Sequence, residues 1–517
     1  MFGKYKKLVA VILVVGCVMN LASCGDKSAT VKKEEGITLK WIFGGPGKQR
    51  DSDEVYALFN EKLQEKMPGV QLNFECIATS DYAEKWRLIA ASNEKVDIAW
   101  CGWVLDYLQE IESGSYLELN ELIDKYAPNL KKSMPDWCWD VMSVNGKLYT
   151  IPIYQMMVTR PLGLRTYQDL YDEYFDEEAM KRAVEKNMKA EPGSAPWNEE
   201  MFDVLDDYLG KLQAAGKLGM GMSPEVCDWI SEVNYLNGDM FDSIYVSYDE
   251  EGKPIAKDAY ADSVPDTFYK RIAEFYKKGY IRKDVLTLQD YKKDIGTDGG
   301  YVLWPHVFDR FSEESESKKY GKEIKIIPVS TKAVLSNKPF ATNTSIPRTC
   351  ENPEVAMKFL ELINSKEGAE LYNLLVYGIE GKHYTRVGDN QIETIGYSGS
   401  ATVDSPYGIP KWMIGDTFQA YQTQTDPEGY NDFILNELHQ DFIRSKLLGF
   451  SFDSSNVKVE RAQLNNVKKE FSGLRFGAFE DYAATLKEFK NKMHASGQEK
   501  VVQEAQKQLD EWYESTK

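Results

Sequence analysis

The feature that most constrains the fold is a regular alternation of strand-like and helix-like segments near the start of the chain. A half-buried strand alternates apolar and polar side chains, whereas an amphipathic helix repeats its apolar side chains at helical spacing. Alternation predicts strands at 37–43 and 70–76, and helical spacing predicts helices at 51–67 and 82–90. A short, largely apolar run at 96–100 suits a buried parallel strand. This β-α-β-α-β order predicts an open parallel sheet covered by helices.

The length of the chain indicates more than one hydrophobic core. At 517 residues it exceeds what a single core usually accommodates, so two lobes are expected. Further strands are predicted at 325–329 and 340–346, and a hairpin surrounds the Asp-Glu-Glu-Gly turn at 249–252. These acidic residues lack the ligand spacing of an EF-hand, so a turn is predicted there rather than a calcium site.

Charge and cysteine content narrow the function classes. The net charge of −19 argues against nucleic acid or a bare anionic membrane surface as a partner. With few histidines and no ligand spacing, no metal or other cofactor is expected. Five of the seven cysteines are far apart without paired spacing, which predicts buried thiols rather than disulfides: Cys76, Cys101, Cys138, Cys227 and Cys350.

Known catalytic motifs do not fit, so no catalytic residue is predicted. The Gly-rich stretch 44–48 lacks the spacing of a phosphate-binding loop, and Gly-Tyr-Ser-Gly at 396–399 is one residue short of a nucleophile elbow. The paired carboxylates of a glycoside hydrolase come from distant strands. Such an enzyme therefore stays open as an alternative.

The first 24 residues have the layout of a secretory signal. Lysines at positions 4, 6 and 7 precede an apolar run at 8–19 that is too short for a comfortable membrane span. Leu-Ala-Ser-Cys follows at 21–24 and resembles the cleavage site of a bacterial lipoprotein, in which the cysteine carries a diacylglycerol. We therefore expect a signal peptide at 1–23, a lipid on Cys24 and a flexible tether over 24–36. An ordinary signal peptide with a chance cysteine is the alternative.

Further stretches resemble extracellular solute-binding proteins of the carbohydrate-binding type, which serve bacterial ABC importers. Four of them occur in the order expected of that family: 37–70, 95–103, 145–152 and 352–360. Two more, at 377–384 and 448–453, resemble a lipoprotein subgroup of Firmicutes whose C-terminal module is uncharacterised. Together these stretches extend the resemblance over essentially the whole chain after the signal.

The resemblance implies a type II periplasmic-binding-protein-like fold: an α/β protein of two lobes with mixed, mostly parallel sheets flanked by helices and a ligand cleft between the lobes. Lobe one is expected at 37–152 plus 325–378, and lobe two at 153–324 plus 379–517, including a helical C-terminal module. The chain is expected to cross between the lobes near 151–154, 324 and 378. Ligand binding closes such lobes by hinge bending.

The same resemblance implies a function. It predicts a monomeric, lipid-anchored receptor on the extracellular face of the cell membrane, with no other membrane contact. The receptor would capture an oligosaccharide or other carbohydrate and deliver it to the ABC permease subunits. A surface glycoside hydrolase and a receptor for a non-sugar solute such as a peptide are the alternatives.

Aromatic side chains are the natural candidates for sugar contacts, because they match the flat apolar face of a sugar ring. The chain has 31 tyrosines and 11 tryptophans, so placement decides which of them serve. Ligands of open α/β sheets lie outside the carboxyl ends of the strands. We therefore select the aromatics that lie near strand ends or at positions similar to stacking aromatics of the family. These ligand-binding candidates are Trp41, Trp103, Tyr154, Trp304 and Trp412. For each of them, packing in the core is the alternative.

Replacing Cys24 with alanine removes the sulfur that would carry the lipid, so this variant should leave the cell and accumulate in the medium. Immunoblotting of membrane and medium fractions measures the distribution. Cys17→Ala changes the other N-terminal cysteine, within the predicted signal, and should stay bound to the membrane. Retention of the Cys24→Ala protein on the membrane would contradict the predicted anchor.

Overall fold

The computed structural model describes residues 36–105, 107–189, 198–227, 244–261, 263–288, 291–335 and 342–516. The predicted signal peptide, Cys24 and the tether up to residue 35 lie outside the described residues. The strands are β1 Ile37–Gly45, β2 Val70–Ala78, β3 Ile98–Cys101, β4 Thr150–Pro152, β5 Leu162–Tyr167, β6 Ile244–Tyr248, β7 Pro254–Asp258, β8 Trp304–Val307, β9 Ile324–Pro328, β10 Ala333–Leu335, β11 Asn343–Ser345, β12 Tyr384–Arg386, β13 Gln391–Thr394, β14 Gln422–Thr423 and β15 Phe442–Arg444. The α-helices are α1 Ser52–Lys66, α2 Thr79–Ser92, α3 Tyr107–Glu112, α4 Asn120–Tyr126, α5 Pro128–Lys132, α6 Asp136–Asp140, α7 Gln168–Tyr174, α8 Glu177–Lys189, α9 Glu199–Ala214, α10 Ser263–Lys278, α11 Ser312–Tyr320, α12 Pro353–Ile363, α13 Ala369–Tyr377, α14 Tyr430–Phe433, α15 Lys458–Glu470, α16 Tyr482–Ala495 and α17 Gln498–Thr516.

The first sheet has the order β2-β1-β3-β11-β4. Strand β1 pairs in parallel with β2 and β3, which confirms the predicted parallel arrangement, and β11 runs antiparallel to β3 and β4. Helices α1 and α12 cover one face of β1. Their rings Phe59 and Phe359 join Trp41 and Phe74 in a buried aromatic cluster, with centroids 5.6 Å apart for Trp41 and Phe359.

A second, smaller sheet has the order β8-β5-β9, and β5 runs antiparallel to both neighbours. The predicted hairpin is confirmed as the antiparallel pair β6 and β7. The C-terminal helices pack on this hairpin: Gln506 of α17 accepts a hydrogen bond from the Ala256 N–H at 2.7 Å, and Phe489 of α16 lies 4.9 Å from the Tyr260 ring. The C-terminal module is therefore built into the same core as the hairpin.

The buried apolar side chains separate into two cores, which matches the expectation of two lobes. The first core draws on 39–158 and 333–438, and the second on 162–329 and 447–509. The chain thus passes between the cores at 158–162, 329–333 and 438–447. The first two crossings lie a few residues after the positions expected from the sequence.

The third crossing differs from its expected position at Gly378. Residues 379–438, which we expected in lobe two, bury their apolar side chains in the first core. The reason is tertiary packing on α13: Tyr407 donates a hydrogen bond to the Leu375 carbonyl at 2.6 Å, and the Tyr421 ring stacks on Tyr377 at 6.1 Å. Gly378 itself turns the chain back at φ +82°, with His383 and Tyr407 against the place of a side chain.

The three crossing segments are hydrogen-bonded side by side. Thr159 and Val334 exchange N–H···O bonds of 2.8 Å in both directions. Strand β10 pairs in parallel with β15, where Val334 is opposite Ile443. The two cores are therefore joined by a narrow three-stranded connection, the arrangement on which hinge bending depends.

The predicted burial of the thiols is confirmed for three of the four described cysteines. Cys76, Cys101 and Cys138 are buried and Cys350 is half-buried, all without a disulfide. The side chain of Cys227 lies outside the described residues. Within the described ranges, none of the helices has the length and apolar character to cross a bilayer.

Replacing Trp41 with alanine should lower the free energy of unfolding by about 3–5 kcal/mol, because the loss of a large buried ring leaves a cavity. Leu88→Ala, at a side chain that is 63% exposed, is the matched control. It should change the stability by less than about 0.5 kcal/mol. Chemical denaturation followed by circular dichroism measures both. A Trp41→Ala protein as stable as the control would contradict this role in the core.

Candidate functional site

The carboxyl ends of the first sheet's parallel strands form one edge of the first core. Strands β1, β3 and β4 run in the same direction and end there at Gly45, Cys101 and Pro152. A loop over 408–418 closes on this edge. A side chain at Gly44 would meet Trp100 at 2.9 Å and the Met413 sulfur at 3.3 Å, so glycine lets loop and strand approach closely.

Trp103 and Trp412 meet at this edge. Trp103 is 59% exposed, although it lies beside a strand that is fully buried. Its ring centroid lies 5.0 Å from that of Trp412, at 45°, and 5.5 Å from that of the buried Trp100. Trp103 therefore presents a supported aromatic face to solvent. We call Trp103 and Trp412 the tryptophan pair.

Polar groups adjoin the tryptophan pair. The amide of Gln155 donates a hydrogen bond to the Thr342 hydroxyl at 2.9 Å, and that hydroxyl donates to the carbonyl of Trp412. Gln155 is half-buried and follows directly on β4 and its Ile-Tyr extension. An amide and a hydroxyl beside an aromatic face are the groups that read sugar hydroxyls.

Tyr154 supports this surface from within the core. Its side chain is buried, and its ring packs against Phe418 at 4.9 Å and His439 at 5.9 Å. Its carbonyl accepts hydrogen bonds from both the N–H and the hydroxyl of Thr417, at 2.9 and 3.1 Å. Tyr154 thus ties the 408–418 loop to the segment that leads into the first crossing. Contrary to the prediction, its ring face is not exposed.

His439 is a buried imidazole beneath Tyr154. Its Nε2 accepts a hydrogen bond from the Met157 N–H at 3.4 Å. Burial lowers the pKa of His439 to about 4, so the ring is neutral at physiological pH. The ring therefore packs as an aromatic side chain between the first and third crossings.

Asp416 is a site residue that the sequence did not reveal. The carboxyl accepts a hydrogen bond from the Phe418 N–H at 2.9 Å and lies in the loop between Trp412 and Phe418. Burial raises the pKa of Asp416 to about 6, against the lowering effect of that hydrogen bond. Around pH 6 and below, this carboxyl can therefore donate as well as accept. Burial by tertiary contacts leaves no periodic signal around a single loop aspartate.

Two further predicted aromatics, Trp41 and Trp304, are also buried. Trp41 is 0% exposed because it points to the face of β1 that α1 and α12 cover. Trp304 is 2% exposed and packs between Tyr167 and Tyr320 of the second core, at 5.6 and 5.7 Å. We therefore remove Trp41 and Trp304 from the candidate site, and the core alternative applies to both.

Glu380 and His383 have structural roles in the loop that follows Gly378. His383 is buried, its Nδ1 accepts from the Ile379 N–H at 2.9 Å, and its Nε2 lies 3.2 Å from Asp51. Glu380 forms an ion pair with Arg386 at 3.0 Å. These contacts fasten the 378–386 loop to the start of α1.

Metal-binding groups are not evident in the part of the chain that the structure describes, where no three His, Cys, Asp or Glu side chains come together as a metal site. The acidic turn between β6 and β7 is confirmed as a turn. Asp249 there accepts hydrogen bonds from the N–H groups of Glu251 and Lys253, at 3.0 and 2.8 Å.

Several known proteins are similar to this chain in sequence or in structure. A family model described as a domain of unknown function, DUF3502, matches residues 446–514. A protein of Streptococcus pneumoniae serotype 4, named carbohydrate ABC transporter substrate-binding protein, is 25% identical to this chain over 98% of this chain and 97% of its own length. The fructooligosaccharide ABC transporter substrate-binding protein FusA of the same organism is 28% identical over 27% of this chain and 29% of its own length.

Solved structures share the fold. The N-glycan transport solute binding protein NgtS of Streptococcus pneumoniae superposes with a TM-score of 0.71 at 23% identity, covering 93% of this chain and all (100%) of that chain. An extracellular solute-binding protein of Bifidobacterium longum subsp. infantis gives a TM-score of 0.62 at 13% identity, covering 93% and 99% of the two chains. The predicted resemblance and the type II α/β fold are thereby confirmed over most of the chain, and the DUF3502 match fits the predicted C-terminal module.

Replacing Asp416 with asparagine should change how stability depends on pH. Because the folded-state pKa of Asp416 is about 6 and the ordinary value is 3.8, the unfolded chain loses this proton first as the pH rises. The wild type therefore loses stability as the pH rises through these two pKa values and stays less stable above them. Asp416→Asn has no carboxyl at this position and does not show this loss. The free energy of unfolding of the variant relative to wild type should rise by about 2–3 kcal/mol from pH 4 to pH 7. Urea denaturation at both pH values measures this, and a constant difference would contradict it.

Proposed function

We propose that this chain, which resembles a carbohydrate ABC transporter substrate-binding protein over its full length, is the extracellular receptor of an ABC importer. It captures an oligosaccharide in the cleft between its lobes and delivers it to the permease subunits. A lipid on Cys24 holds it at the outer face of the membrane as a monomer. The full-length similarity to a transport protein supports capture over the glycoside hydrolase alternative.

The observation that carries the proposal is the tryptophan pair at the carboxyl edge of the first sheet. An exposed indole at a strand end, supported by a second indole at 5.0 Å, is a surface onto which a sugar ring stacks. The two rings are tilted by 45° to each other, so they suit successive rings of an oligosaccharide better than one flat ligand. Gln155 and Thr342 adjoin them with the hydrogen-bonding groups that hydroxyls need.

The connection between the cores supports closure around the ligand. We assign lobe one to 37–158 plus 333–438 and lobe two to 162–329 plus 447–516, following the two cores. The crossing strands form the hinge. A ligand that contacts both lobes in the closed state shifts the population toward that state, by as much as its affinity for the two states differs.

The ligands of the structural neighbours define a panel for testing this chain. NgtS was crystallised with Man1GlcNAc and Man5GlcNAc, and FusA with kestose. Another neighbour is described as binding human milk oligosaccharides (HMO), and a further one, AlgQ2, as alginate-binding. The panel is therefore Man5GlcNAc, kestose, lacto-N-tetraose as a milk oligosaccharide and an alginate trisaccharide as the anionic member.

Trp103→Ala and Trp412→Ala should each weaken binding of the wild-type protein's best panel ligand at least about tenfold, or 1.4 kcal/mol, because a stacking face is lost. Isothermal titration calorimetry of the chain from residue 25 onward measures the dissociation constants, and product analysis tests for turnover. Val459→Ala, at a side chain on α15 that is 67% exposed, should bind like the wild type.

The contrary results are distinct. No stabilisation of the wild type by any panel member in a thermal shift assay would contradict carbohydrate capture, because a ligand at 100 times its dissociation constant adds about 2.7 kcal/mol. Conversion of a panel sugar to product would instead favour the hydrolase. Unchanged binding by both tryptophan variants would remove the tryptophan pair from the site.

A further inference from the structure

A cavity of about 590 Å³ lies in the second core and is a second candidate site in addition to the tryptophan pair's surface. One face of α8 and the edge strand β9 form its walls, the Tyr171 and Phe175 rings contribute aromatic surface, and residues 308–310 and Thr331 line the rest. It shares no lining residue with the tryptophan pair. Its volume is that of a small-molecule site, for which about 300–1,000 Å³ is usual.

The interior of the cavity is apolar and aromatic. Met180 and Val184 of α8 are buried and lie on one face of the helix. The Tyr171 and Phe175 rings beside them are stacked, with centroids 5.0 Å apart and planes 26° apart. Flat apolar walls of this kind suit the C–H faces of a sugar.

The rim of the cavity is charged, but six of its charged residues already take part in four ion pairs. The pairs are Lys181–Glu177 at 2.9 Å, Lys325–Glu313 at 3.0 Å, Asp309–Arg160 and Arg310–Glu437. A charged ligand would have to break such a pair and leave its partner without compensation. A neutral hydroxyl can accept from the cations and donate to the carboxylates while the pairs persist.

The outward N–H groups of the edge strand β9 are not available for pairing with a peptide strand. The outward N–H of Ile324 donates to the Ser317 hydroxyl at 2.9 Å, and that of Ile326 donates to the Glu313 carboxylate at 3.1 Å. Pro328 has no N–H. A peptide that binds by strand addition needs these backbone groups. The edge is therefore closed to that mode, which favours a ligand that binds through hydroxyls.

We propose that this cavity is a second carbohydrate-binding pocket of the chain, that it takes a neutral oligosaccharide and that it is separate from the tryptophan pair. The proposal goes beyond the receptor function, since a receptor needs only one site for its cargo. The cavity lies beside the hinge: Thr331 belongs to the second crossing, and Arg310 forms its ion pair with Glu437 of the first core. A sugar bound there therefore contacts residues beside the second crossing and beside the first core.

Glu185→Trp and Thr331→Trp test the pocket, because both side chains are exposed lining residues and a tryptophan there fills the opening. Arg182→Trp is the matched control, since Arg182 is exposed on the same helix and does not line the cavity. Titration calorimetry with the panel above, on the chain from residue 25 onward, should give two binding events for wild type and the control. Either pocket variant should weaken one event at least about tenfold, and Trp103→Ala should weaken the other.

The outcomes separate the two proposals. Wild-type binding by both pocket variants, with folding confirmed by circular dichroism, would overturn the second pocket and leave the receptor function intact. A single event weakened by both Glu185→Trp and Trp103→Ala would overturn the separateness of the pocket. Binding of the alginate trisaccharide as strong as that of neutral sugars, and sensitive to Glu185→Trp, would overturn the preference for a neutral ligand. Loss of one event in the pocket variants, with none lost in Trp103→Ala, would support the pocket and count against the tryptophan pair.

Discussion

The structure depends on the hydrogen-bonded connection between its two cores. Each core buries its own apolar side chains, and the three chain crossings between the cores are joined by backbone pairing at Thr159, Val334 and Ile443. Three paired segments resist sliding along the strands, while small changes in their dihedral angles can rotate one core against the other. Such a rotation breaks neither core, but it changes the contacts that the Phe311 ring makes with Tyr430 and Phe433 of the first core.

The tryptophan pair is rigidly tied to this hinge. Tyr154 precedes the first crossing, and its carbonyl holds Thr417 of the loop that also carries Trp412. On the other side of the loop, the Tyr372 hydroxyl donates to the Lys411 carbonyl at 2.8 Å. His439 begins the third crossing and packs against Tyr154. A ligand that contacts the loop can therefore act, through Tyr154 and His439, on the backbone near the first and third crossings.

The sequence predicted the elements that leave a local signal in the chain. Strands β1 and β2 were predictable because their side chains alternate, β3 because it is a short apolar run, and the hairpin because of its turn residues. Alternation shows which residues share a face, but not which face a helix covers, so the burial of Trp41 was not decidable. The third crossing and the buried carboxyl of Asp416 depend on packing between distant segments, which leaves no periodic trace in the chain.

The C-terminal module shows why sequence boundaries and structural units differ here. The DUF3502 match covers 446–514, yet the buried residues of this stretch lie in the second core rather than in a core of their own. Val501, Ala505 and Leu509 of α17 are fully buried, and the same helix binds the hairpin strand β7 through Gln506. Without the module this face of the second core would expose a continuous apolar surface to water. The module therefore completes the second core of this chain.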